Sequence, residues 1–457
     1  MHTAHLTGRT LLPVLKNRNF LYLWLAQGIS QIGQNMLNYL VIVLVEQLTG
    51  SSTQTGLAIL SFLLPSVLFA GVAGVVVDHT NKRTMLIATT VLRAVTAAGY
   101  FVYLLHGKWR VGYLVLIIDL ATLVRTCVNQ FFFPAEHAAI PLLVERKHFF
   151  TVNTLIGIST NVFTVVGFIL LGPFLLKFMG IRTVLWTIVG LFLAASAALT
   201  LLPRQTCGTA RNSDLVSRLK EGVIRLAGKA WRALLREVRD SWSFIRRDRA
   251  VTVAIAYSSI VQALALMIGT LAPGFATRVL QQTPEDAIVV VLPAGLGMFF
   301  GFLAIGFVSR RATWQRLVNG SMLVCGVALT GLAATPLLER LPNMPPLGTL
   351  NLAHPVLLVS IAWCLMLGVA NSFITVPTQT VLQDRIPEEA YGRVFANRLL
   401  ATNIASMAPV LLAGAMADLV GIIWVLGGVG LLTLAMTAFG VVYLRPTHKP
   451  AEEQPEG

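Results

Sequence analysis

Three charged side chains stand deep inside long apolar runs: Arg93, Asp119 and Arg125. On insertion scales each costs about 2.5–3.5 kcal/mol at mid-bilayer, so each needs a partner or a task. Asp119 and Arg125 are six residues apart, which sets them on different faces of an ideal helix and argues against direct pairing. Arg93, in the preceding run, is the expected partner of Asp119. A carboxylate that meets a cavity can take a proton on one side of a membrane and release it on the other. Held permanently against an arginine, it only fixes helix packing. Both readings stand for these candidate coupling charges, and protons are an expected partner.

Polar residues also recur at three- and four-residue steps within apolar runs. The first run carries Gln27, Gln31, Gln34, Asn35 and Asn38, and the fourth adds Thr122, Thr126 and Asn129 to its charges. The seventh carries Ser258, Ser259 and Gln262; the tenth carries Asn371, Ser372, Thr375, Thr378 and Gln379. Such steps gather side chains on one helix face. In lipid that face turns toward water or protein, so it either lines a cavity or bonds neighbouring helices. No Gly-x-x-x-x-Gly-Lys-Ser/Thr loop occurs, and no His/Cys cluster has metal-ligand spacing, so neither ATP hydrolysis nor a metal or other cofactor is expected. Glu136 and His137 are adjacent, and adjacent helical residues point apart, so they read as a surface pair.

The elements that must position these residues follow from run length. Of 457 residues, 55% are hydrophobic and 12% charged, against roughly 25% charged in ordinary soluble domains. The apolar residues arrive in blocks of about 20, the number a helix needs to cross roughly 30 Å of hydrocarbon. Blocks fall near 20–46, 55–77, 84–105, 112–135, 152–177 and 183–202, and again near 250–275, 287–308, 314–337, 354–380, 394–417 and 420–444. The expected fold is an all-α membrane protein of twelve transmembrane helices in two six-helix bundles. Its divisions are a terminus 1–19, a bundle 20–203, a linker 204–249, a bundle 250–444 and a tail 445–457. No cleavable leader is expected, because the first block is too long for one. The four cysteines suggest neither a disulfide framework nor a metal site.

The net charge of +15 has a topological origin. With the amino terminus inside, 27 Lys and Arg fall on inner segments and six on outer ones. The positive-inside rule then puts both termini in the cytoplasm of a plasma (inner) membrane. Twelve of the basic residues lie in 204–249, where Leu215, Leu219, Val223 and Leu226 recur at helical steps. That pattern suits an amphipathic helix along anionic lipid headgroups, or a plain tether between bundles. Nucleic-acid binding gains no separate support.

The halves echo each other. Asn129-Gln-Phe-Phe-Phe-Pro134, Ile140-Pro141 and Asn153 match Asn371-Ser-Phe-Ile-Thr-Val-Pro377, Ile386-Pro387 and Asn397, at offsets of 242 to 246. Duplicated halves are how many transporters build a central site that opens alternately to each side.

Motifs now add a resemblance. Gly74-Val-Val-Val-Asp78-His79-Thr-Asn81-Lys82-Arg83 resembles the loop after the second helix in the major facilitator superfamily. Thr55-Gly56, Leu64-Pro65-Ser66, Phe133-Pro134-Ala135, Gln383-Asp-Arg-Ile-Pro387 and Gly392-Arg393-Val394-Phe395 resemble its drug-exporter branch, with the macrolide-efflux and siderophore-exporter proteins. The resemblance implies that helices 1, 4, 7 and 10 line the cavity. The expected substrate-facing residues are then Gln27, Gln31, Gln34, Asn35, Asn38, Asn129, Gln262, Asn371, Thr375 and Gln379. It also implies that Asp78 meets the start of the eleventh helix near Gly392, a gate formed by Gly74, Asp78, Lys82, Arg83, Gly392 and Arg393. The matching place in the second half, Gly306-Phe-Val-Ser309-Arg310-Arg311, lacks the acid, so the gate is asymmetric.

Two departures bear on mechanism. Relatives carry Asp after the glycine of helix 1, where Gly33 is followed by Gln34, which cannot titrate. The antiporter motif of helix 5 keeps Gly167 and Gly172-Pro173 but has Leu175 and Leu176 where glycines usually follow. The expected function is secondary export of a small amphiphilic solute by a monomer in contact with membrane lipids, through proton antiport. A lipid or lysolipid translocator on the same fold is the alternative, and a membrane enzyme or receptor lacks a clustered catalytic set.

Overall fold

The computed structural model describes residues 14, 16–78, 80–105, 111–145, 148–203, 248–308, 313–340, 355–385 and 388–443. Within them every regular element is helical. That outcome follows from the apolar runs, because a lipid-embedded backbone must satisfy its polar groups internally. In chain order the first half holds α1 (Arg18–Thr49), α2 (Ser52–Asp78), α3 (Lys82–Leu105), α4 (Val111–Leu143), α5 (Phe149–Thr164) and α6 (Gly172–Thr200), with a π-helical segment Val165–Leu171 between the last two. The second half holds α7 (Arg249–Arg278), α8 (Ile288–Val308), α9 (Trp314–Ala334), α10 (Pro355–Arg385), α11 (Glu388–Val420) and α12 (Ile422–Tyr443). Among the described residues, ten helical stretches are long and apolar enough to cross a membrane. The tally falls below twelve partly because Leu155–Thr200 counts as one stretch. Gly180 interrupts that stretch with φ +76° and ψ 169°, a backbone that L side chains rarely adopt. It lies between the sequence-expected blocks 152–177 and 183–202. The linker 204–247 and the tail after Tyr443 lie outside the described residues.

Helix ends are set by local chemistry. The Asn17 side chain accepts from the amides of Asn19 and Phe20, and its amide donates to the Leu143 carbonyl at 2.8 Å, which ties the start of α1 to the end of α4. Gly50, at φ +62°, closes α1 by donating to the Glu46 carbonyl, so that α2 turns back at once. Gly421, at φ +98°, does the same between α11 and α12.

The apolar core divides along the chain. One cluster draws its buried members from α7 to α12, including Phe275, Met322, Leu329, Cys364 and Leu426. Two others draw theirs from the first half, around Leu37, Ile118 and Phe192 and around Phe20, Phe132 and Leu199. A smaller cluster bridges the halves through Ile42, Ile59, Leu63 and Val410. Large apolar side chains also point outward, among them Phe307 and Leu419 at 80% exposure, and Trp424 and Leu116. In water such a surface would drive association, whereas against lipid tails it costs nothing.

Across that bridge α2 and α11 run antiparallel. The Ser52 amide meets Asp418, and fourteen residues further along α2 Ser66 accepts from Asn403 at 2.9 Å. Asn17, just ahead of α1, and Tyr443, at the end of α12, both lie away from the Ser52–Asp418 end.

Candidate functional site

Ionisable and hydroxyl side chains converge where α1 turns into α2. The first amides of α2 have no partners within their own helix. Asp418, near the end of α11, supplies them: it accepts from the amides of Ser52 and Thr53 at 2.9 Å each, and from the Ser51 and Thr53 hydroxyls at 2.6 Å each. An acid from the second half thus caps a helix of the first half, at the positive end of that helix's dipole. Arg278, in the last turn of α7, donates to Asp418 at 3.0 Å and to Glu46 of α1 at 2.9 Å, and also contacts the Ser52 hydroxyl. Glu46 is buried and accepts from Thr55 at 3.0 Å. Beside this network Lys177 pairs with Asp286, and Gln47 donates to Glu285 at 3.0 Å. Of these contacts, Arg278–Glu46, Arg278–Ser52, Lys177–Asp286 and Gln47–Glu285 join the two halves, whereas Arg278–Asp418 and Thr55–Glu46 each lie within one half.

Close backbone approach makes the latch possible. A Cβ on Gly414 would collide with the Ser52 carbonyl and come within 3.2 Å of the Thr53 Cα, and a Cβ on Gly274 would lie 3.0 Å from the Ser52 hydroxyl. Sequence reading missed Glu46, Arg278 and Asp418; Arg278 entered it only as one of the six basic residues on outer segments. The available signal was an acid three residues before Gly421, at the end of the eleventh run, opposite in polarity to the Ser51-Ser52-Thr53 start of the second.

Within the first half the intramembrane charges form a second polar region. Arg125 is fully buried and donates to Asn38 at 2.9 Å; Asn38 also accepts from Gln34 at 3.3 Å. The Tyr100 hydroxyl shares a hydrogen with Thr122 at 2.5 Å. Arg93 donates to Ser30 of α1 at 2.8 Å, and its guanidinium stands 4.3 Å from the centroid of the Phe132 ring. No ion pair joins Arg93 to Asp119 among the described residues, which corrects the expected pairing; Asp119 is half-buried. A second correction concerns Glu136: it is fully buried on α4, while His137 beside it is exposed. The helical turn sends adjacent residues to opposite faces, and the inward face took the acid.

The helix 1 stripe divides between neighbours. Gln27 donates to Thr160, and Asn35 to Thr164, both on α5, while Gln34 and Asn38 face the Arg125 side. Gln31 and Asn129 are partly exposed. On the other half, Asn371 borders a small cleft with Val261, Leu264, Ile268, Cys325 and Leu367, and accepts from Thr375 at 3.3 Å. Gln379 is partly exposed and Gln262 exposed. Ser372 donates to the Met298 carbonyl at 2.7 Å and serves the packing of α10 on α8.

Of the expected gate, Gly74 is helical and half-buried; Lys82 donates to the Thr80 carbonyl at 3.1 Å, and Arg83 to the Thr200 carbonyl at 2.6 Å. Asp78 ends α2, and Gly392 and Arg393 open α11; the side chains of Asp78 and Arg393 lie outside the described residues.

Comparison with known proteins agrees with this architecture. A family model, Major Facilitator Superfamily, matches residues 23–344 and 322–457. The MFS-type transporter YfiS of Bacillus subtilis (strain 168) is 24% identical over 416 residues, covering 90% of this chain and 89% of its own. Macrolide efflux protein A of Streptococcus pyogenes is 20% identical, covering 88% and 90%. The crystal structure of a bacterial homologue of the iron transporter ferroportin in an inward-facing state superposes with TM-score 0.65 at 13% identity, over 93% of this chain and 98% of that one. At that identity the likeness speaks for the fold alone.

Proposed function

The chain belongs to the Major Facilitator Superfamily, and on that premise we propose that it exports a small, amphiphilic organic solute by alternating access coupled to proton entry. As a family member it is a multi-pass integral membrane transporter and not an enzyme. In this reading twelve spans form two six-helix bundles, 20–203 and 250–444, joined by the basic linker 204–249. Both termini face the cytoplasm of the inner membrane, and the Asp418 latch then lies on the outer side.

The observation that carries the reading is the latch. Charged and capping bonds between the halves at the Ser52–Asp418 end of the α2–α11 pair are what a carrier closed on that side requires. The register supports the partner gate at the other end. From Ser66 and Asn403, twelve residues along α2 reach Asp78, and eleven back along α11 reach Gly392. Asp78 is therefore level with the start of α11 and takes there the role that Asp418 takes at the start of α2. Closing one end releases the other. Efflux relatives, one named for macrolides, favour export and an amphiphilic cargo. The candidate cavity residues are Gln31, Gln34, Asn38, Asn129, Gln262, Asn371, Thr375 and Gln379, with Gln27 and Asn35 at its α5 side and Gly74, Lys82, Arg83 and Arg393 framing the inner gate. Arg93, Asp119 and Arg125 are the candidate coupling charges.

The test compares small-molecule profiles of cells and medium for cells lacking the protein and cells making it, with and without an uncoupler. A metabolite that leaves cells only with the protein, and stops leaving with the uncoupler, is the expected result. A change confined to phospholipids or lysolipids and indifferent to the uncoupler would replace this reading with lipid translocation.

A further inference from the structure

Glu136 is an acid that no motif explains. It sits on α4 with no side-chain exposure, and neither carboxylate oxygen has a hydrogen-bond donor within reach. Its neighbours on the same helix, Phe132, Ala135, Ala139 and Ile140, belong to the apolar cluster that includes Leu23 of α1, Leu86 of α3 and Leu199 of α6. A carboxylate ion without donors in such surroundings costs far more than the neutral acid.

The charged group that faces Glu136 is Arg93 of α3, with Arg125 of α4 beyond it. Yet no ion pair joins Arg93 and Glu136 among the described residues. The guanidinium is held elsewhere, by the Ser30 hydroxyl at 2.8 Å and the face of Phe132 at 4.3 Å, while Nε and Nη2 have no partner. Phe132 and Glu136 are four residues apart on α4, so they stand one above the other on a single face. Arg93 has two seats one helical turn apart: an aromatic ring, which it occupies, and a carboxylate, which it does not. A cation over a desolvated ring is attracted by the negative face of that ring, and this contact holds the arginine while the acid is neutral.

We propose that Glu136 is a proton-binding site of this transporter, protonated while Arg93 sits on Phe132 and ionised when Arg93 moves onto it with the Asp418 latch still closed, so that the proton leaves on the inner side. The proton leaves the Glu136 carboxyl to water as α3 slides against α4, and the Arg93–Glu136 ion pair replaces the lost O–H bond. This deepens the proton-coupled reading above and rests on it for the direction of coupling, whereas the protonation itself does not depend on which solute is carried.

The test is infrared difference spectroscopy of the purified full-length protein in lipid nanodiscs, titrated with pH, with thermal melting to verify folding. The wild type is expected to show, at neutral pH, a C=O stretch of a protonated carboxylic acid that Glu136→Gln removes. Arg93→Met takes away the partner of the ionised form and should move the loss of that band to higher pH, by a tenfold or greater rise in proton affinity. If Glu136→Gln leaves the carboxylic-acid region unchanged, the proposal is wrong. If the band vanishes in Glu136→Gln but ignores Arg93→Met, the two-seat arginine is wrong. Uncoupler-insensitive export by the wild type would instead contradict the proton drive and leave the titration of Glu136 standing.

Discussion

At the scale of single residues, what matters is how a buried or half-buried charge is answered. Asp418 is answered by two amides, two hydroxyls and Arg278, so its removal costs several bonds at once. Hydrogen bonds to charged groups contribute about 1.5–3 kcal/mol each in favourable cases. Asp418→Asn keeps the shape and removes the charge. It should open the latch enough that a cysteine placed at Thr55, buried in the latch, reacts with a membrane-impermeant maleimide at least about tenfold faster, equivalent to ~1.4 kcal/mol. An unchanged labelling rate would show that the latch does not hold that end shut. At the other end, Asp78→Asn should abolish most transport while the protein still reaches the membrane, measured as efflux against the amount in isolated membranes. Normal transport would remove Asp78 from the gate. The intramembrane charges were visible in the sequence because lipid makes them costly, but their partners were not. Arg93 turned to Ser30 and Phe132 rather than Asp119, a choice fixed by how α1, α3 and α4 rotate against one another, which side-chain spacing along one chain does not encode.

Elements were the most legible scale. A run of about 20 apolar residues has one stable answer in lipid, so the helices sit where the runs are. The turn between the fifth and sixth runs reads from Gly180, where the backbone needs a positive φ. Less legible was the π segment Val165–Leu171, because one extra residue in a turn leaves no mark on hydropathy. It brings Gly167 against α1, where a Cβ would come 2.6 Å from the Ile32 carbonyl and 2.9 Å from the Asn35 Cβ. Gly167→Ala should therefore lower the melting temperature by several degrees, a cost of about 1–3 kcal/mol from overpacking. Gly190→Ala, where nothing lies within 4 Å, should leave it unchanged or raise it slightly. Equal behaviour of the two variants would mean that α1 and the π segment are not in contact.

For the whole molecule, the internal repeat leads to an expectation of two halves; the clusters around Phe275, Leu37 and Phe20 each draw their buried members from one of them, while Ile42, Ile59, Leu63 and Val410 pack across. The latch was hidden because it joins residues up to 367 positions apart, and no repeat or motif couples Ser51 to Asp418. In the proposed cycle the two ends of the α2–α11 pair are alternatives, one capped by Asp418 and the other by Asp78. Pulsed electron spin resonance tests this most directly, on protein whose native cysteines are replaced by serine. One label pair, Met179 and Leu419, spans the latch end, and another, Thr84 and Gln383, spans the opposite end; all four sites are exposed. Adding Asp418→Asn is expected to lengthen the first distance and shorten the second in the same sample. Lengthening of the first with no change in the second, or no change in either, would contradict alternating access through this latch.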